Sequence, residues 1–428
     1  MRRRFASMSL YIIVATLMAV CSVGGPIAAA PPAPVVKIGV IFPLTGAAAA
    51  TGVKLKYAVE VAQEIINNAR PEMNLPLAAT TGLPNLGGAR VEFVFADHQG
   101  NPEIAKSEAE RLIQNEKVVA LIGCYQSSAT KPASQVAERY DIPFIAGSSS
   151  SAAPTERGLK WFMRIAPNDD METKFFFDYL NFLNRENNAG IKRVGVVFID
   201  NEYGVHAAEM VDKWIKTYKA DGFDLVARVK YPAVVSNVDT EVQRIKAAKL
   251  DAIFHASYIA DITQFVKKYR EYDITPKAVL NYCGGFQDPM FVVNLGRDAN
   301  FFAGSNATAP SLFGRMKITR QINDMYFPKA GVDIDGPTIE DFSSALVIAD
   351  AINQAGTTDP NKVLDVLRAK TFDAPYFVSG KIKFDDKGQN EFSASVMVQV
   401  LNGVYEAVWP VEFKTAEAVP AFPAWNKR

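Results

Sequence analysis

Residues 38–54, IGVIFPLTGAAAATGVK, form an apolar run that is followed by a turn of small residues and the start of a helical pattern. A strand that leads through a tight turn into a helix is the repeating unit of α/β proteins. The turn does not fit a nucleotide phosphate, because a P-loop needs two glycines separated by four residues and then Lys and Ser or Thr. Here Gly46 and Gly52 are separated by five residues, and Val53 precedes Lys54. The glycines also miss the spacing of dinucleotide sites, so the turn either lines a site of another kind or only joins a strand to a helix.

Short apolar runs alternate with longer amphipathic segments along most of the chain. Asn101 is placed to cap one of these helices, and Pro102 takes its first position. Continuous apolar strands between helices are typical of parallel sheets that are covered on both faces. We therefore predict an α/β fold with two doubly wound parallel-sheet lobes. The predicted strands cover residues 37–44, 90–97, 118–125 and 142–148 in the first lobe, and 193–200, 224–231, 251–257 and 277–283 in the second.

The last part of the chain has a different pattern. Residues 338–356 are predicted to form an amphipathic helix. Further on, Asn402 and Gly403 lie between two apolar alternations, which predicts a β-hairpin with a two-residue turn. Residues 70–88, rich in Pro, Leu, Thr and Gly, are predicted to form an insertion loop.

The beginning of the chain indicates export. Arginines at positions 2–4 precede an apolar run at residues 10–20, and small residues follow. This order predicts a signal peptide over residues 1–30, with cleavage near residues 28–30, and therefore an exported protein. A membrane anchor is the alternative, but the run is shorter than a bilayer span requires.

Composition limits the classes of partner. The 428-residue chain is too long for one ordinary core, and its 49% hydrophobic and 21% charged residues indicate a globular protein. It has 46 basic and 46 acidic residues and no basic run, so we expect neither nucleic acid nor an anionic membrane surface as a partner.

The three cysteines leave alternatives open. Cys21 raises the possibility of a lipoprotein signal, although Val20 occupies the position where such a signal needs a small residue. Beyond the signal, Cys124 and Cys283 are too far apart in sequence to define a disulfide scaffold, so whether they pair stays open.

Hydroxyl-rich loops follow two adjacent strands of the first lobe, namely GCYQSSATKPAS (123–134) and GSSSSAAPTERG (147–158). In open parallel sheets, ligands bind beyond the carboxyl ends of the strands. The N-terminus of a helix adds free N–H groups and a positive dipole end, so these loops suit a carboxylate or another small anion. The alternative is that the serines only cap helices. Aromatic residues in the second lobe predict either a wall facing the serines or ordinary rim packing; they are Tyr203, Tyr258, Tyr282 and Phe286.

Patterns for catalysis are weak. His98, His206 and His255 are far apart, and the sequence contains neither H-E-x-x-H nor G-x-S-x-G. Cys124 as a nucleophile is an alternative, but a Cys at the end of an apolar strand is more typical of a small buried residue. The Asp97-His98 pair is likewise more typical of strand-end polarity. We therefore predict that the protein is not an enzyme and holds no metal and no cofactor.

An ordered set of motifs resembles one protein family. The stretches IGVIFPLTG, YQSSATKPAS, IPFIAGSSSSAAPTERG and DNEYG occur in the order found in the periplasmic substrate-binding proteins of branched-chain amino acid type ABC transporters. The likeness covers about residues 37–384. It implies the type I periplasmic binding fold, a clamshell that closes on a small-molecule ligand and delivers it to the membrane subunits of an ABC permease, and we expect a monomer. Its three crossovers would lie near residues 165–167, 306–308 and 376–379, which gives lobes of residues 31–166 with 308–376 and 167–306 with 379–428.

The resemblance also implies which residues contact the ligand. Ser127 matches a serine that binds the ligand carboxylate, and Ser148 and Ser150 fall on two contact positions of the next loop. The turn after the first strand would line the cleft between the lobes. The remaining contact positions are Thr51, Tyr203 and Tyr258, and Cys283 stands where amino-acid binders carry the acid that holds the ligand ammonium.

A thiol at position 283 is a weak acceptor and cannot compensate a buried ammonium. We therefore predict that the ligand is an acid without an α-ammonium group, of which an aromatic acid is one form. A branched-chain amino acid is the alternative, because aromatic rings also attract cations and Asp261 or Asp288 would restore the charge. A ligand-sensing receptor domain of the same fold is the alternative from another class of protein, and the signal peptide favours transport.

Overall fold

The computed structural model describes residues 34–428, and the predicted signal peptide over residues 1–30 lies outside the described residues. Strands and helices alternate as predicted. The strands are β1 (Val35–Phe42), β2 (Arg90–Asp97), β3 (Leu121–Gly123), β4 (Phe144–Ala146), β5 (Phe162–Arg164), β6 (Arg193–Ile199), β7 (Asp224–Tyr231), β8 (Ala252–Ala256), β9 (Ala278–Asn281), β10 (Ala303–Asn306), β11 (Phe372–Ala374), β12 (Gly380–Ile382), β13 (Val396–Leu401) and β14 (Val404–Trp409). The helices are α1 (Ala49–Asn67), α2 (Pro102–Gln114), α3 (Ser127–Arg139), α4 (Ala153–Glu156), α5 (Asp169–Glu186), α6 (Glu202–Tyr218), α7 (Asp239–Ala248), α8 (Ile259–Glu271), α9 (Met290–Leu295), α10 (Lys317–Ala330), α11 (Gly336–Ala355) and α12 (Pro360–Ala369). Within residues 34–428, no helix is both long enough and apolar enough to cross a bilayer.

The first lobe is built on a parallel sheet with the strand order β2-β1-β3-β4-β5. Successive side chains of β1 point to opposite faces of this sheet. Ile38 and Val40 pack in one core cluster with α1 and α11, whereas Ile41 packs in another with α2 and α3. The strand is apolar on both faces because helices cover both, which confirms the predicted doubly wound arrangement of this lobe.

The second lobe is built on a sheet with the strand order β14-β13-β10-β9-β8-β6-β7. The strands β7, β6, β8, β9 and β10 are parallel to one another, and β13 and β14 form an antiparallel edge of the sheet. Asn402 and Gly403 join β13 to β14 with φ angles of 52° and 78°. Positive φ at both central residues is what a type I′ turn requires, so the predicted hairpin is confirmed.

The strand predicted at residues 118–125 forms only over β3. The chain leaves the extended conformation at Gly123, where φ is 126°, and Tyr125 then adopts a left-handed φ of 72°. A Cβ atom at Gly123 would collide with the carbonyl oxygen of Ile41. The glycine therefore permits a sharp turn that ends the strand early and directs the following residues towards the second lobe.

The third crossover, which is the last passage of the chain between the lobes, lies later in the sequence than predicted. A boundary at residues 376–379 places Ile382 and Phe384 in the second lobe, yet both side chains pack in the core of the first lobe. Gln389 still pairs with Arg164 of β5 through an isolated bridge. The chain joins the second sheet only at β13, so this passage lies between Gln389 and β13. The other lobe boundaries stay predictions.

Candidate functional site

A cavity of about 370 Å³ lies between loops of the two lobes. It is bounded by the segments that follow β1, β2 and β3 of the first sheet and β6, β7 and β8 of the second. This is the edge at which ligands bind in open parallel sheets. Of the sequence-predicted contacts, Thr51 and Tyr258 line the cavity. Its polar and aromatic lining comprises Thr51, Gln99, Tyr125, Gln126, Ser128, Asn201, Tyr258 and Asp261.

The serines of the two first-lobe loops meet at the N-terminus of α3. The Oγ atom of Ser127 accepts hydrogen bonds from the Ser149 hydroxyl and from the backbone N–H of Ser151, both at 3.2 Å. Ser127 and Ser150 are each 2% exposed. The loops thus place several hydroxyl and N–H groups in one buried region beside a positive helix end.

Ser148 is engaged inside the first lobe. Its hydroxyl donates a 2.6 Å hydrogen bond to Oδ2 of Asp341 in α11. Burial raises the pKa of Asp341 to about 7, and the hydrogen bond from Ser148 acts against that rise. The Ser148 hydroxyl is therefore used by a partner from a distant part of the sequence, which the spacing of the serines does not reveal.

Tyrosines from both lobes form a continuous aromatic group. The ring centroid of Tyr258 lies 5.8 Å from that of Tyr125 and 5.4 Å from that of Tyr203. Tyr125 belongs to the first lobe and was not singled out from the sequence, because its position depends on the turn after β3. Tyr282 and Phe286 pack in the core of the second lobe, which corresponds to the packing alternative for these two residues.

An ion pair connects the lobes beside this aromatic group. Lys54 of α1 pairs with Oδ1 of Asp288, and the Thr51 hydroxyl donates a 3.2 Å hydrogen bond to Oδ2 of the same carboxylate. Lys54 is 6% exposed and Asp288 is 3% exposed. Asp288, named from the sequence only as an acid that would restore the missing charge, therefore lies at the lobe interface. The sequence analysis also missed Lys54, although a Lys on the apolar face of a predicted amphipathic helix indicates a buried partner of opposite charge.

Comparison with known proteins places this architecture in a family. The model of the periplasmic binding protein family matches residues 35–403. The chain belongs to the periplasmic binding proteins. The resemblance to the branched-chain amino acid type, inferred from the ordered motifs, is confirmed.

Several relatives of this periplasmic binding protein are known. The Leu/Ile/Val-binding protein homolog 7 of Brucella abortus is 25% identical over 398 residues, which cover 89% of this chain and 93% of the relative. The leucine-binding protein LivK of Thermotoga maritima has a TM-score of 0.72 at 22% identity, covering 88% of this chain and 99% of that one. A solute-binding protein of an ABC transporter from Rhodopseudomonas palustris, solved with 3,4-dihydroxybenzoic acid, has a TM-score of 0.71 at 20% identity, covering 92% and 99%.

In this binding protein, Cys283 lies just beyond β9, next to the aromatic group. The Tyr203 hydroxyl donates a hydrogen bond to its backbone carbonyl. Burial raises the pKa of the Cys283 thiol well above its ordinary value, and the nearby carboxyls of Glu172 and Asp169 raise it further, whereas the Ser150 hydroxyl opposes the shift. The thiol is therefore neutral and lies beside Ser150 of the first lobe, while the backbone carbonyl of Cys283 contacts Tyr203 of the second.

Glu172 of α5 is a carboxyl group beside Cys283 that the sequence did not indicate. The Ser305 hydroxyl donates a hydrogen bond to its Oε1 atom, while Oε2 has no hydrogen-bond partner among the described residues. Burial raises the pKa of Glu172 to about 8, against the lowering effect of the bond from Ser305. The side chain is thus largely protonated at neutral pH. It was missed because it lies in a helix after the first passage between the lobes rather than at a strand end.

Other reactive side chains of the described residues make separate contacts, and the Nε2 atom of His98 lies 3.1 Å from the backbone carbonyl oxygen of Cys124. Cys124 and Cys283 are both free. His206 contacts Oδ2 of Asp169 through Nδ1 at 2.8 Å, while His98 and His255 are buried elsewhere. Within residues 34–428, no group of three or more His, Cys, Asp or Glu side chains is placed to hold a metal ion.

Proposed function

We propose that this periplasmic binding protein captures a small carboxylic acid without an α-ammonium group and delivers it, chemically unchanged, to an ABC permease. The observation that carries this ligand class is Cys283, a neutral thiol where amino-acid binders of the family place an acid. A buried ammonium without a compensating carboxylate costs several kcal/mol. Asp288, the nearest acid further along the chain, already pairs with Lys54.

An aromatic acid fits the lining best. The rings of Tyr125 and Tyr258, which line the cavity, offer aromatic surface for offset or tilted contacts with a ligand ring. The cavity of about 370 Å³ falls within the range of small-molecule sites. The structural relative solved with 3,4-dihydroxybenzoic acid supports the same ligand class.

The first lobe would hold the carboxylate. In this proposal, Ser127 and Ser150 donate hydroxyl hydrogen bonds to it near the N-terminus of α3, where the helix dipole favours an anion. Both present bonds of Ser127 use its oxygen as the acceptor, so its hydroxyl hydrogen remains available to donate to the ligand carboxylate. Tyr203 and Tyr258 contact the body of the ligand, Thr51 lies at the cavity wall, and Cys283, beside Ser150, borders the carbon next to the carboxylate.

A branched-chain amino acid is the second candidate, and Glu172 is the observation that favours it. Its free Oε2 atom lies in the region of Cys283, where an α-ammonium would be placed. An ammonium at that point would favour the ionised carboxylate and supply the charge that position 283 lacks. Asp261, whose pKa burial raises to about 6, lines the cavity and offers a further acid.

A thermal-shift screen of the mature protein distinguishes the two ligand classes. Benzoate, hydroxybenzoates and short aliphatic acids are compared with leucine, isoleucine and valine. A ligand at about 100 times its dissociation constant adds about 2.7 kcal/mol to the free energy of unfolding. We expect a shift with the simple acids and none with the amino acids.

The variant Glu172→Gln tests whether the Glu172 carboxyl holds the ammonium of an amino-acid ligand. It removes the acid but keeps the shape, and Glu209→Gln, at an exposed position of α6, is the matched control. We expect simple acids to bind both variants as they bind the unchanged protein. Binding of leucine that is lost only in Glu172→Gln would establish the amino-acid candidate and contradict the proposed ligand class.

Delivery to a permease and export complete the proposal. Reconstituted with its own permease and ATPase in liposomes, the liganded protein should stimulate ATP hydrolysis and carry the ligand across the bilayer. Ligand binding without any such stimulation would instead favour the sensor alternative.

A further inference from the structure

A second cavity, of about 280 Å³, lies between segments assigned to both lobes but away from the aromatic group. α9 and the β13–β14 hairpin form one wall, and the end of α10 with the loop leading to α11 forms the other. We call it the rear cavity. Its residues are Gln287, Pro289, Val292, Val293, Asn306, Thr308, Pro310, Phe327, Val332, Asp333, Ile334, Asp335, Gly403, Val404 and Tyr405.

Three large hydrophobic side chains are exposed to solvent at the mouth of the rear cavity. Val293 is 65% exposed, Phe327 46% and Val404 43%, and these three large hydrophobic side chains come from three separate elements. Single exposed hydrophobic residues are ordinary on protein surfaces, but a group of them around one concavity marks a binding site.

Two buried polar atoms on residues that line the cavity lack partners. Gln287 is 3% exposed, and its Nε2 atom donates a 2.7 Å hydrogen bond to the carbonyl of Ser305, so its Oε1 atom remains as a free acceptor. The hydroxyl of Thr308, which is fully buried, also has no partner among the described residues. Leaving such groups unpaired is costly, so they favour a ligand with hydrogen-bond donors.

The charges around the cavity have one sign. Asp333 and Asp335 both line it, and of the described residues that line it none is Lys or Arg. Asp333 accepts a hydrogen bond from the Asn323 amide at 2.8 Å and has no ion-pair partner within residues 34–428. Lys54 acts on Asp335 from the side of the lobe interface, so Asp333 is the uncompensated carboxylate. An anion would be repelled here, and a cation attracted.

From these observations we infer that the rear cavity is a second ligand site, one that binds a small organic monocation, namely a protonated primary amine with a hydrocarbon body. The ammonium donates to Gln287 Oε1 and to the Thr308 hydroxyl, and the Asp333 carboxylate neutralises its charge. The hydrocarbon body packs on Val292, Phe327 and Tyr405. Because these residues come from both sides of the lobe interface, occupancy of the rear cavity is coupled to the relative position of the lobes.

Titration calorimetry on the mature protein tests this site with three probes of equal length: hexylamine, hexan-1-ol and hexanoate. We expect hexylamine to bind about tenfold tighter than hexan-1-ol, since a charge-assisted hydrogen bond is added. Hexanoate should bind only in the cleft, as the proposed function requires, so Val293→Trp should leave its binding unchanged. Equal affinities for hexylamine and hexan-1-ol, or no binding of hexylamine, would overturn the inference.

Variants locate the binding. Asp333→Asn should weaken hexylamine binding to about the level of hexan-1-ol, and Asp324→Asn, an exposed acid on α10 that pairs with Arg320, is the matched control. Val293→Trp, at an exposed position of the mouth, should obstruct both probes without disturbing the core. Ser127→Ala, in the cleft, should leave hexylamine binding unchanged. Loss of binding in Ser127→Ala, with binding retained in Val293→Trp, would assign the amine to the cleft and refute the rear site.

Discussion

Replacing Lys54 by Met tests whether the ion pair between the lobes stabilises the closed state. The change keeps most of the side-chain volume and removes the charge that faces Asp288. Because both groups are almost fully buried, breaking the pair leaves an uncompensated carboxylate, which typically costs about 3–5 kcal/mol. The cost is at the upper end of this range if Asp335 stays ionised, since Lys54 also acts on that carboxyl.

This cost should fall on the closed state alone. When the lobes separate, Asp288 returns to water and its charge no longer needs a partner. Ligand affinity, which depends on closure, should therefore fall by about two to four orders of magnitude. Titration calorimetry measures the affinity, and small-angle scattering at saturating ligand should show a smaller radius of gyration for the unchanged protein than for the variant at the same ligand concentration.

Two further variants make the Lys54 result interpretable. Lys56→Met removes one of the two partners of Glu60 in α1, the other being Lys329. It should change the affinity little, because i,i+4 pairs of this kind contribute about 0.3–0.5 kcal/mol. The double variant Lys54→Met/Asp288→Leu should recover most of the loss, since neither charge remains buried. An affinity for Lys54→Met equal to that of Lys56→Met would refute the reasoning.

The remaining predictions concern the carboxylate site, a buried histidine and export. Ser127→Ala should weaken ligand binding by about 1.5–3 kcal/mol, or about tenfold to a hundredfold. If calorimetry shows no change in affinity, Ser127 has only a structural role at the N-terminus of α3. Although burial opposes it, the hydrogen bond and charge of Asp169 raise the pKa of His206. The resulting stabilisation is complete below the unfolded value of about 6.5 and is lost as the pH rises through the folded value. The difference in unfolding free energy between the unchanged protein and His206→Asn should accordingly shrink as the pH rises above about 6.5, and a constant difference would contradict this assignment. Intact mass of the protein from the periplasmic fraction should lack about the first thirty residues, and a retained Met1 would exclude cleavage.

Local signals were sufficient for much of the fold. The strand predicted at residues 224–231 has the same bounds as β7, and the Asn402-Gly403 turn was identified because its backbone geometry favours those two residues. The end of β3 could not be predicted, because it depends on the close approach of Gly123 to Ile41 of a neighbouring strand.

The candidate site was less accessible from the sequence. Serines and tyrosines after strands could be proposed because parallel sheets place strand ends together. Thr51 and Asp288 are 237 positions apart in the sequence, and local sequence patterns do not predict contacts at that separation. Glu172 reaches Cys283 only because α5 packs against the second sheet, so its role depends on tertiary structure.

The late passage of the chain between the lobes has a consequence for biosynthesis. The core of the first lobe includes Val36 near one end of the described chain and Phe384 near the other. A ribosome must therefore complete almost the entire polypeptide before that core can close. Contacts at such sequence separation form slowly, so the nascent chain should depend on chaperones to shield its apolar strands until Ile382 and Phe384 have been made.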